Sequence, residues 1–146
     1  MVKVLFSCHG RSEGSAVILI AEDNELNAEI TMEILADADI LCEHAQDGAK
    51  CLQMIEEHDA DYYDLILMDI QMPIMNGYEA TRAIRALPDT GRANIPVLAL
   101  SANYLPSDRK NARDAGMNGF VAKPIDVTEL LEKLKRAIVG ASKPAS

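Results

Sequence analysis

Short strand-like segments alternate with stretches of helical periodicity along this chain. Each has the length of a buried strand, and together they are Val17–Ala21, Ile40–His44, Leu65–Met68, Ile95–Leu100 and Gly119–Ala122. Strands that alternate with helices in this way are typical of a parallel sheet covered by helices on both faces. The pattern therefore predicts one α/β domain built from five strand–helix units.

The first two predicted helices follow the first two strands. Apolar residues at helical spacing place one face of the first helix inward: Leu26, Ile30, Ile34 and Leu35. Asp47 is a suitable N-cap for the second helix, which would bury Ala49, Leu52 and Ile55.

Three further helices are expected. The third follows the Asn76-Gly77 turn and runs from about Tyr78 to Ala86, and the fourth is capped by Ser107 and ends near Ala115. The last helix begins near Asp126, and its predicted buried face consists of Val127, Leu130, Leu131, Leu134 and Ile138.

The two ends of the chain differ from its middle. Residues 1–15 show no sustained periodicity and are interpreted as a linker or appended segment. Residues 140–146 are rich in small residues and are interpreted as a flexible tail. The predicted domain therefore covers residues 16–139, and the length of 146 residues fits a single compact domain.

Composition narrows the class of protein. The net charge of −9 argues against non-specific binding to nucleic acid or to a membrane. Three cysteines, Cys8, Cys42 and Cys51, lack metal-ligand spacing and are interpreted as reduced thiols. Neither a signal peptide nor an apolar stretch long enough to cross a bilayer is recognisable. We therefore expect a cytoplasmic domain.

Polar groups follow four of the five predicted strands. Glu22-Asp23 comes after the first strand, Asp69 after the third, Ser101 after the fourth and Lys123 after the fifth. Ligands of open parallel sheets bind outside the carboxyl ends of the strands. Each group alone could be a helix cap, a turn residue or a strand end, but capping does not require all of them at carboxyl ends. The set therefore indicates one pocket that binds metal or phosphate.

Four segments resemble the response-regulator receiver domain. They are Ile20–Asn24, Leu67–Gly77, Leu98–Ala102 and Phe120–Pro124, and the resemblance extends from about Val17 to Val139. It implies a doubly wound (βα)5, flavodoxin-like fold with the parallel strand order 2-1-3-4-5.

The resemblance also implies a phosphoacceptor site. Asp69 would take a phosphoryl group from a phosphohistidine, and Mg²⁺, or Mn²⁺ in its place, would reduce the repulsion between the two anions. In the family the second acid of the pair, here Asp23, ligates the metal directly, and the first, Glu22, acts through water. The backbone carbonyl of Gln71 completes the ligand set.

The remaining roles concern the phosphoryl oxygens and the response to phosphorylation. Lys123 would supply a positive charge and Ser101 a hydroxyl donor. By resemblance, Phe120 is the aromatic residue whose rotamer changes when Ser101 moves, although a core position would equally explain an apolar residue there. Gln71 and Asn103 match positions that tune how fast water removes the phosphoryl group.

The sequences of two segments point to a particular kind of parent protein. Glu22–Asn27 and Ser101–Asn103 look most like the receivers of hybrid sensor histidine kinases, whose full chains can be membrane-anchored. The expected partner is a histidine kinase or a histidine phosphotransfer domain, and the domain would catalyse its own phosphorylation and dephosphorylation. The resemblance also allows a weak homodimer through the face of the fourth helix, fifth strand and last helix.

Other interpretations stay open to different degrees. A stand-alone response regulator is the close alternative. A phosphatase with an aspartate nucleophile would need a second Asp where this chain has Gln71, and a degenerate receiver would lack one of the site residues. A flavodoxin-like cofactor site lacks a phosphate-binding loop after the first strand.

Two charged clusters on predicted helices have no assigned role. Glu25, Glu29 and Glu33 repeat every four residues, a spacing that slightly destabilises a helix and fits either a basic partner or a solvated face. A second, basic cluster is interpreted as a solvated face, and it consists of Arg109, Lys110 and Arg113.

Overall fold

The structure is a computed structural model that describes residues 16–102 and 106–142, with side chains up to residue 139. Its five strands are β1 (Val17–Ala21), β2 (Leu41–Ala45), β3 (Leu65–Asp69), β4 (Val97–Ser101) and β5 (Gly119–Ala122). They form one sheet in the order β2-β1-β3-β4-β5, and every neighbouring pair is parallel. The predicted fold and strand order are confirmed.

Six helices occur in the described part of the chain. They are α1 (Glu25–Asp37), α2 (Gly48–Glu57), α3 (Gly77–Arg85), α4 (Thr90–Ala93), α5 (Pro106–Ala115) and α6 (Val127–Ser142). Asp47 caps α2 as predicted, because its carboxylate accepts from the Lys50 N–H at 2.8 Å. The last helix continues to Ser142, so it includes the first three residues of the segment predicted as a tail.

Two apolar cores lie on opposite faces of the sheet. Alternate strand residues point to opposite faces, so Leu19 belongs to one core and Ile18 and Ile20 to the other. The first core is closed by α2, α3 and α5, and the second by α1 and α6. Every residue of β1, β3 and β4 is buried, so these strands give the residues at their ends a rigid support.

The predicted inward face of α1 is wrong in its first half, although Leu35 is buried as predicted. Leu26 is 65% exposed and Ile30 is 47% exposed, whereas Ala28, Thr31 and Leu35 are buried. The helix meets the sheet through a stripe that includes small side chains, and the Thr31 hydroxyl is satisfied within the helix by the Asn27 carbonyl at 3.0 Å. Because the larger apolar residues dominated the periodicity, the sequence pattern indicated a rotated face.

Two smaller differences concern helices later in the chain. Val127 was predicted to be buried but is 48% exposed, because it lies in the first turn of α6, at the end of the stripe formed by Leu130, Leu134 and Ile138. The short helix α4 was not predicted, since four residues are too few to show a period. Asp89 caps it by accepting from the Gly91 N–H at 3.2 Å.

A lysine of the last helix reaches the open edge of β5. Lys133 extends from α6, and its Nζ donates to the Phe120 carbonyl oxygen at 2.6 Å. The same ammonium forms an ion pair with Glu129, one helical turn earlier, at 3.1 Å. A carbonyl of the edge strand therefore has a partner from the domain itself.

One arginine links α3 to the segments on both sides of β4. The Arg85 guanidinium donates four hydrogen bonds of 2.7–2.9 Å, and its acceptors are the carbonyls of Ala93, Ile95 and Gly116 and the side-chain oxygen of Asn118. Burial lowers the pKa of Arg85 from its usual range, but the pKa of a guanidinium is so high that the group stays charged. Three backbone carbonyls thus share one side-chain donor.

We expect Arg85→Met to lower the free energy of unfolding by about 3 kcal/mol, because several part-buried acceptors lose their donor at once. Urea denaturation monitored by circular dichroism measures this loss. Arg82→Met is the matched control, since Arg82 lies on the same helix and is exposed. Equal losses in the two variants would contradict the role assigned to Arg85.

Candidate metal centre

The four polar positions predicted from the sequence meet at one edge of the sheet. Glu22 directly follows β1, Asp69 and Ser101 are the last residues of β3 and β4, and Lys123 directly follows β5. Because all strands are parallel, their carboxyl ends share this edge. The α1 cap is Asn24, which accepts from the Asn27 N–H at 3.0 Å. Capping therefore does not explain Glu22 and Asp23.

Three carboxylates form the centre of this site. Glu22, Asp23 and Asp69 each place an oxygen atom within 4.8 Å of the others. Glu22 is 2% exposed and Asp69 is 7% exposed, whereas Asp23 is open to solvent. A set of carboxylate oxygens that is partly open to water and to phosphate suits Mg²⁺, which keeps several waters when it binds to proteins. The residues present therefore fit the metal that the sequence indicated.

Lys123 supplies the positive charge beside this cluster. Its Nζ donates to the Glu22 Oε1 at 3.0 Å and lies 3.6 Å from the Asp69 Oδ2. One ammonium is thus shared between two buried carboxylates. The Lys123–Pro124 peptide is cis.

The pKa values of the two buried acids, Asp69 and Glu22, are shifted in opposite directions. Burial, together with the hydrogen bond and the negative charge of Glu22, raises the pKa of Asp69 to about 7, although Lys123 acts in the opposite direction. Burial also raises the pKa of Glu22, but its hydrogen bonds with Asp69 and Lys123 outweigh that effect and hold its pKa below the usual value. Without a metal, the raised pKa of Asp69 therefore keeps a proton in this pair to higher pH than an isolated aspartate would hold it.

The connection from β3 to α3 packs directly behind Asp69. A Cβ atom on Gly77 would lie 2.5 Å from the Asp69 carbonyl oxygen, so only glycine fits there without a shift of the backbone. The Gly77 N–H donates to the Ile70 carbonyl at 2.8 Å. Asn76 and Glu79 form a capping box that starts α3 at this point. The turn therefore fixes the backbone that carries Asp69.

Gln71 and Ser101 lie beside the carboxylates. The Gln71 N–H donates to the Asp69 Oδ1 at 3.4 Å, and Gln71, Ser101 and Asp23 line one cavity of about 680 Å³. Ser101 is 8% exposed, and its carbonyl accepts from the Lys123 N–H at 2.9 Å. The use of the Gln71 carbonyl as a metal ligand stays a prediction.

Phe120 and Asn103 are the two remaining positions predicted from the sequence. Phe120 is 8% exposed and belongs to the core between the sheet and α5, beside Ala99 in the register of β4 and β5. It also borders a second cavity of about 780 Å³ between α5 and α6. Its role as a switch stays a prediction. Asn103 lies outside the described residues.

One contact near the site was not foreseen. The His44 Nε2 lies 2.7 Å from the carbonyl oxygen of Glu22. In the sequence His44 looked like an ordinary strand residue, and only the register of β1 and β2 shows that it lies next to the acidic pair.

Comparison with known proteins identifies the family. The family model of the response regulator receiver domain matches residues 18–135, and this chain belongs to that family, whose shared function is phosphoryl transfer to an aspartate. Histidine protein kinase 1 of Candida albicans is 40% identical over 120 residues, which cover 77% of this chain and 5% of that protein. The peroxide stress-activated histidine kinase mak1 of Schizosaccharomyces pombe is 35% identical over 114 residues, which cover 77% of this chain and 7% of that protein. The chain thus spans less than a tenth of these two relatives.

Solved structures agree with this assignment. The receiver domain of a Pseudomonas aeruginosa sensor histidine kinase, with magnesium coordinated in its active-site cleft, is 37% identical with a TM-score of 0.76, covering 85% of this chain and 98% of that one. The Saccharomyces cerevisiae complex of the phosphotransfer protein Ypd1 with the receiver of Ssk1 matches at 26% identity and a TM-score of 0.77, and the match covers 92% of this chain and 91% of that one.

In the described part of this chain, no helix is long and apolar enough to cross a membrane.

The raised pKa of Asp69 leads to a prediction for the metal-free protein. Because the folded-state pKa of about 7 exceeds the ordinary value of 3.8, the folded state holds this proton more tightly than the unfolded state. The resulting stabilisation is complete below pH 3.8 and is lost as the pH rises through 7. Asp69→Asn, which cannot ionise, should therefore gain stability relative to the wild type across this window.

Urea denaturation in EDTA at several pH values measures the difference between the two proteins. A difference that stays constant with pH would show that Asp69 ionises normally in the folded state.

Proposed function

We propose that this domain takes a phosphoryl group from a phosphohistidine of a partner protein onto Asp69, in a step that depends on Mg²⁺. The observation that carries the proposal is the cluster of Glu22, Asp23 and Asp69 with the Lys123 ammonium beside it. Glu22, Asp23, Asp69 and the Gln71 carbonyl would hold the metal, and Mn²⁺ suits the same oxygen ligands.

The chemistry follows from the residues at the pocket. An Asp69 carboxylate oxygen attacks phosphorus while the P–N bond of the phosphohistidine breaks, and the electron pair of that bond returns to the imidazole of the partner. A bound Mg²⁺ neutralises charge on the phosphoryl oxygens and lowers the repulsion between the two anions. It would also favour the ionised form of Asp69, which the metal-free site holds partly protonated.

Lys123 and Ser101 would act after the transfer. We propose that the Lys123 Nζ leaves Glu22 and pairs with a phosphoryl oxygen, since a dianionic group is the stronger partner. The Ser101 hydroxyl would donate to another phosphoryl oxygen, and its movement would change the packing of Phe120. Gln71 and Asn103 would control the access of the water that removes the phosphoryl group.

The exposed face of α1 supports a protein partner. Leu26 and Ile30 are exposed on the helix that follows Asp23, and Glu25 and Glu29 lie on the same helix. An apolar pair surrounded by acids suits a partner helix with apolar and basic residues. The Ypd1–Ssk1 complex is the relevant precedent, because there a receiver is bound by a phosphotransfer protein. We therefore propose a histidine phosphotransfer domain, or the equivalent helix of a histidine kinase, as the partner.

We propose that the domain is part of a hybrid sensor histidine kinase, as the relatives suggest, while a stand-alone response regulator remains the second candidate. Free Cys42 and Cys51 support a reducing, cytoplasmic setting. A weak homodimer would use the face of α5, β5 and α6. The aspartate-nucleophile phosphatase is disfavoured by Gln71.

Phosphorylation by a small-molecule donor tests the acceptor. With Mg²⁺ and acetyl phosphate, the wild type should gain one phosphoryl group that is stable in acid and labile in base, and Asp69→Asn should gain none. Intact-mass spectrometry measures both. Asp108→Asn is the matched control, since Asp108 borders the cavity but is not in the carboxylate cluster. A phosphoryl group that survives Asp69→Asn would refute the assignment.

The proposed partner surface is tested by comparing phosphoryl transfer from a partner protein with phosphorylation by a small molecule. Leu26→Ser with Ile30→Ser should slow transfer from a phosphorylated histidine phosphotransfer protein at least about tenfold, because two exposed apolar contacts are lost. Phosphorylation by acetyl phosphate should not change. Leu41→Ser, which alters an equally exposed leucine at the start of β2, should leave both reactions unchanged. Unaltered transfer in the double variant would exclude this face.

A further inference from the structure

We infer that His44 is a positioning residue for the metal centre: its imidazole holds the peptide between Glu22 and Asp23, and thereby directs the Asp23 carboxylate. The inference rests on the proposed function, because it concerns the metal that this centre would hold. The contact that carries it lies where the pairing of β1 with β2 ends.

Backbone pairing between these strands stops just before the acidic pair. The last register partners are Ala21 and Ala45, and the Glu22 N–H then donates to the Ala45 carbonyl at 3.0 Å. The next acceptor along the chain is the Glu22 carbonyl, and it accepts from the His44 Nε2 at 2.7 Å. A side chain of the edge strand therefore takes the place of the next bond in the ladder.

The chemistry of this contact determines the tautomer. A carbonyl oxygen only accepts hydrogen bonds, so Nε2 must carry the proton. Nε2 carries a proton both in this neutral tautomer and in the imidazolium ion. The contact therefore persists whether His44 is neutral or charged, and the inference does not depend on its titration.

The peptide held by His44 leads directly into Asp23. The Glu22 carbonyl and the Asp23 N–H belong to one planar unit, so fixing the oxygen also fixes the direction in which the chain enters Asp23. The Glu22 side chain has its own anchors, namely Lys123 at 3.0 Å and the Asn24 N–H at 3.3 Å. By contrast, the Asp23 carboxylate accepts no hydrogen bond from the residues that the structure describes. Its position relative to Glu22 and Asp69 is therefore set by the backbone.

A purely structural role is the competing explanation. In that case His44 would only satisfy a carbonyl at the end of a strand, and its loss would lower the stability of the domain without a specific effect on the metal. The two explanations differ in what they predict for metal affinity and for the Asp23 amide.

The experiment compares the wild type with His44→Val, which suits a strand but removes the donor, and His44→Gln, which keeps an N–H donor on a side chain of similar reach. Cys42→Val is the matched control, because Cys42 lies two residues earlier on the same face of β2 and is half-buried. The dissociation constant for Mg²⁺ is measured from amide NMR shifts. The ¹H–¹⁵N heteronuclear NOE of the Asp23 amide, which reports how firmly its peptide is held, and thermal unfolding are measured in EDTA.

We expect His44→Val to raise the dissociation constant for Mg²⁺ about tenfold, the lower end for a residue that orients a metal ligand, and His44→Gln to restore most of the affinity. The heteronuclear NOE of the Asp23 amide should be lower in metal-free His44→Val than in Cys42→Val. Unchanged affinity in His44→Val, or a His44→Gln protein that is as weak as His44→Val, would overturn the inference. If His44→Val does not fold, His44→Asn, whose amide is shorter than that of Gln, replaces it in the same comparison.

The failure of this inference is distinguishable from failure of the proposed function. A wild type that does not bind Mg²⁺ would refute the proposed metal centre. In that event the heteronuclear NOE of the Asp23 amide in EDTA still decides whether His44 holds the peptide. A wild type that binds Mg²⁺ together with a His44→Val protein that binds it equally well would refute only the role of His44.

Discussion

Repulsion among three carboxylates at one edge of the sheet governs the chemistry of this domain. Glu22, Asp23 and Asp69 are brought within 4.8 Å of one another, and the Lys123 ammonium contacts only two of them. Burial strengthens the repulsion, because little water is present to screen it. The site relieves it in one of two ways, by keeping a proton on Asp69 or by taking up a cation. In the proposed function, the binding of Mg²⁺ and the transfer of a phosphoryl group to Asp69 both take place at this unfavourable arrangement.

The sheet is what keeps the acids together. β1, β3 and β4 are buried along their whole length, and two apolar cores hold them from both faces. The close approach of Gly77 to Asp69 leaves the backbone at Asp69 no room to withdraw. The stability of the apolar layers thus offsets the electrostatic cost of the site, so the most favourable and the least favourable interactions of the domain lie in adjacent residues.

Much of this arrangement was predictable from the sequence. Buried strands and the polar groups after them leave local patterns, so the strand–helix alternation and the positions of Asp69 and Lys123 followed directly. The strand order came from the resemblance to receiver domains. Leu26 and Ile30 of α1 were wrongly placed inward, because helical periodicity gives weight to large apolar residues, whereas close packing on the sheet uses small ones. The contact between His44 and Glu22 could not be foreseen, since it depends on the register of two strands that the sequence does not encode locally.

The contact between Lys133 and the Phe120 carbonyl has a consequence for assembly. An exposed strand edge invites strands from other molecules, and a lysine at the edge is a common defence against such pairing. Here the ammonium occupies a backbone acceptor that an incoming strand would need. A strand of another molecule therefore cannot pair along the full length of β5 unless Lys133 first leaves this carbonyl.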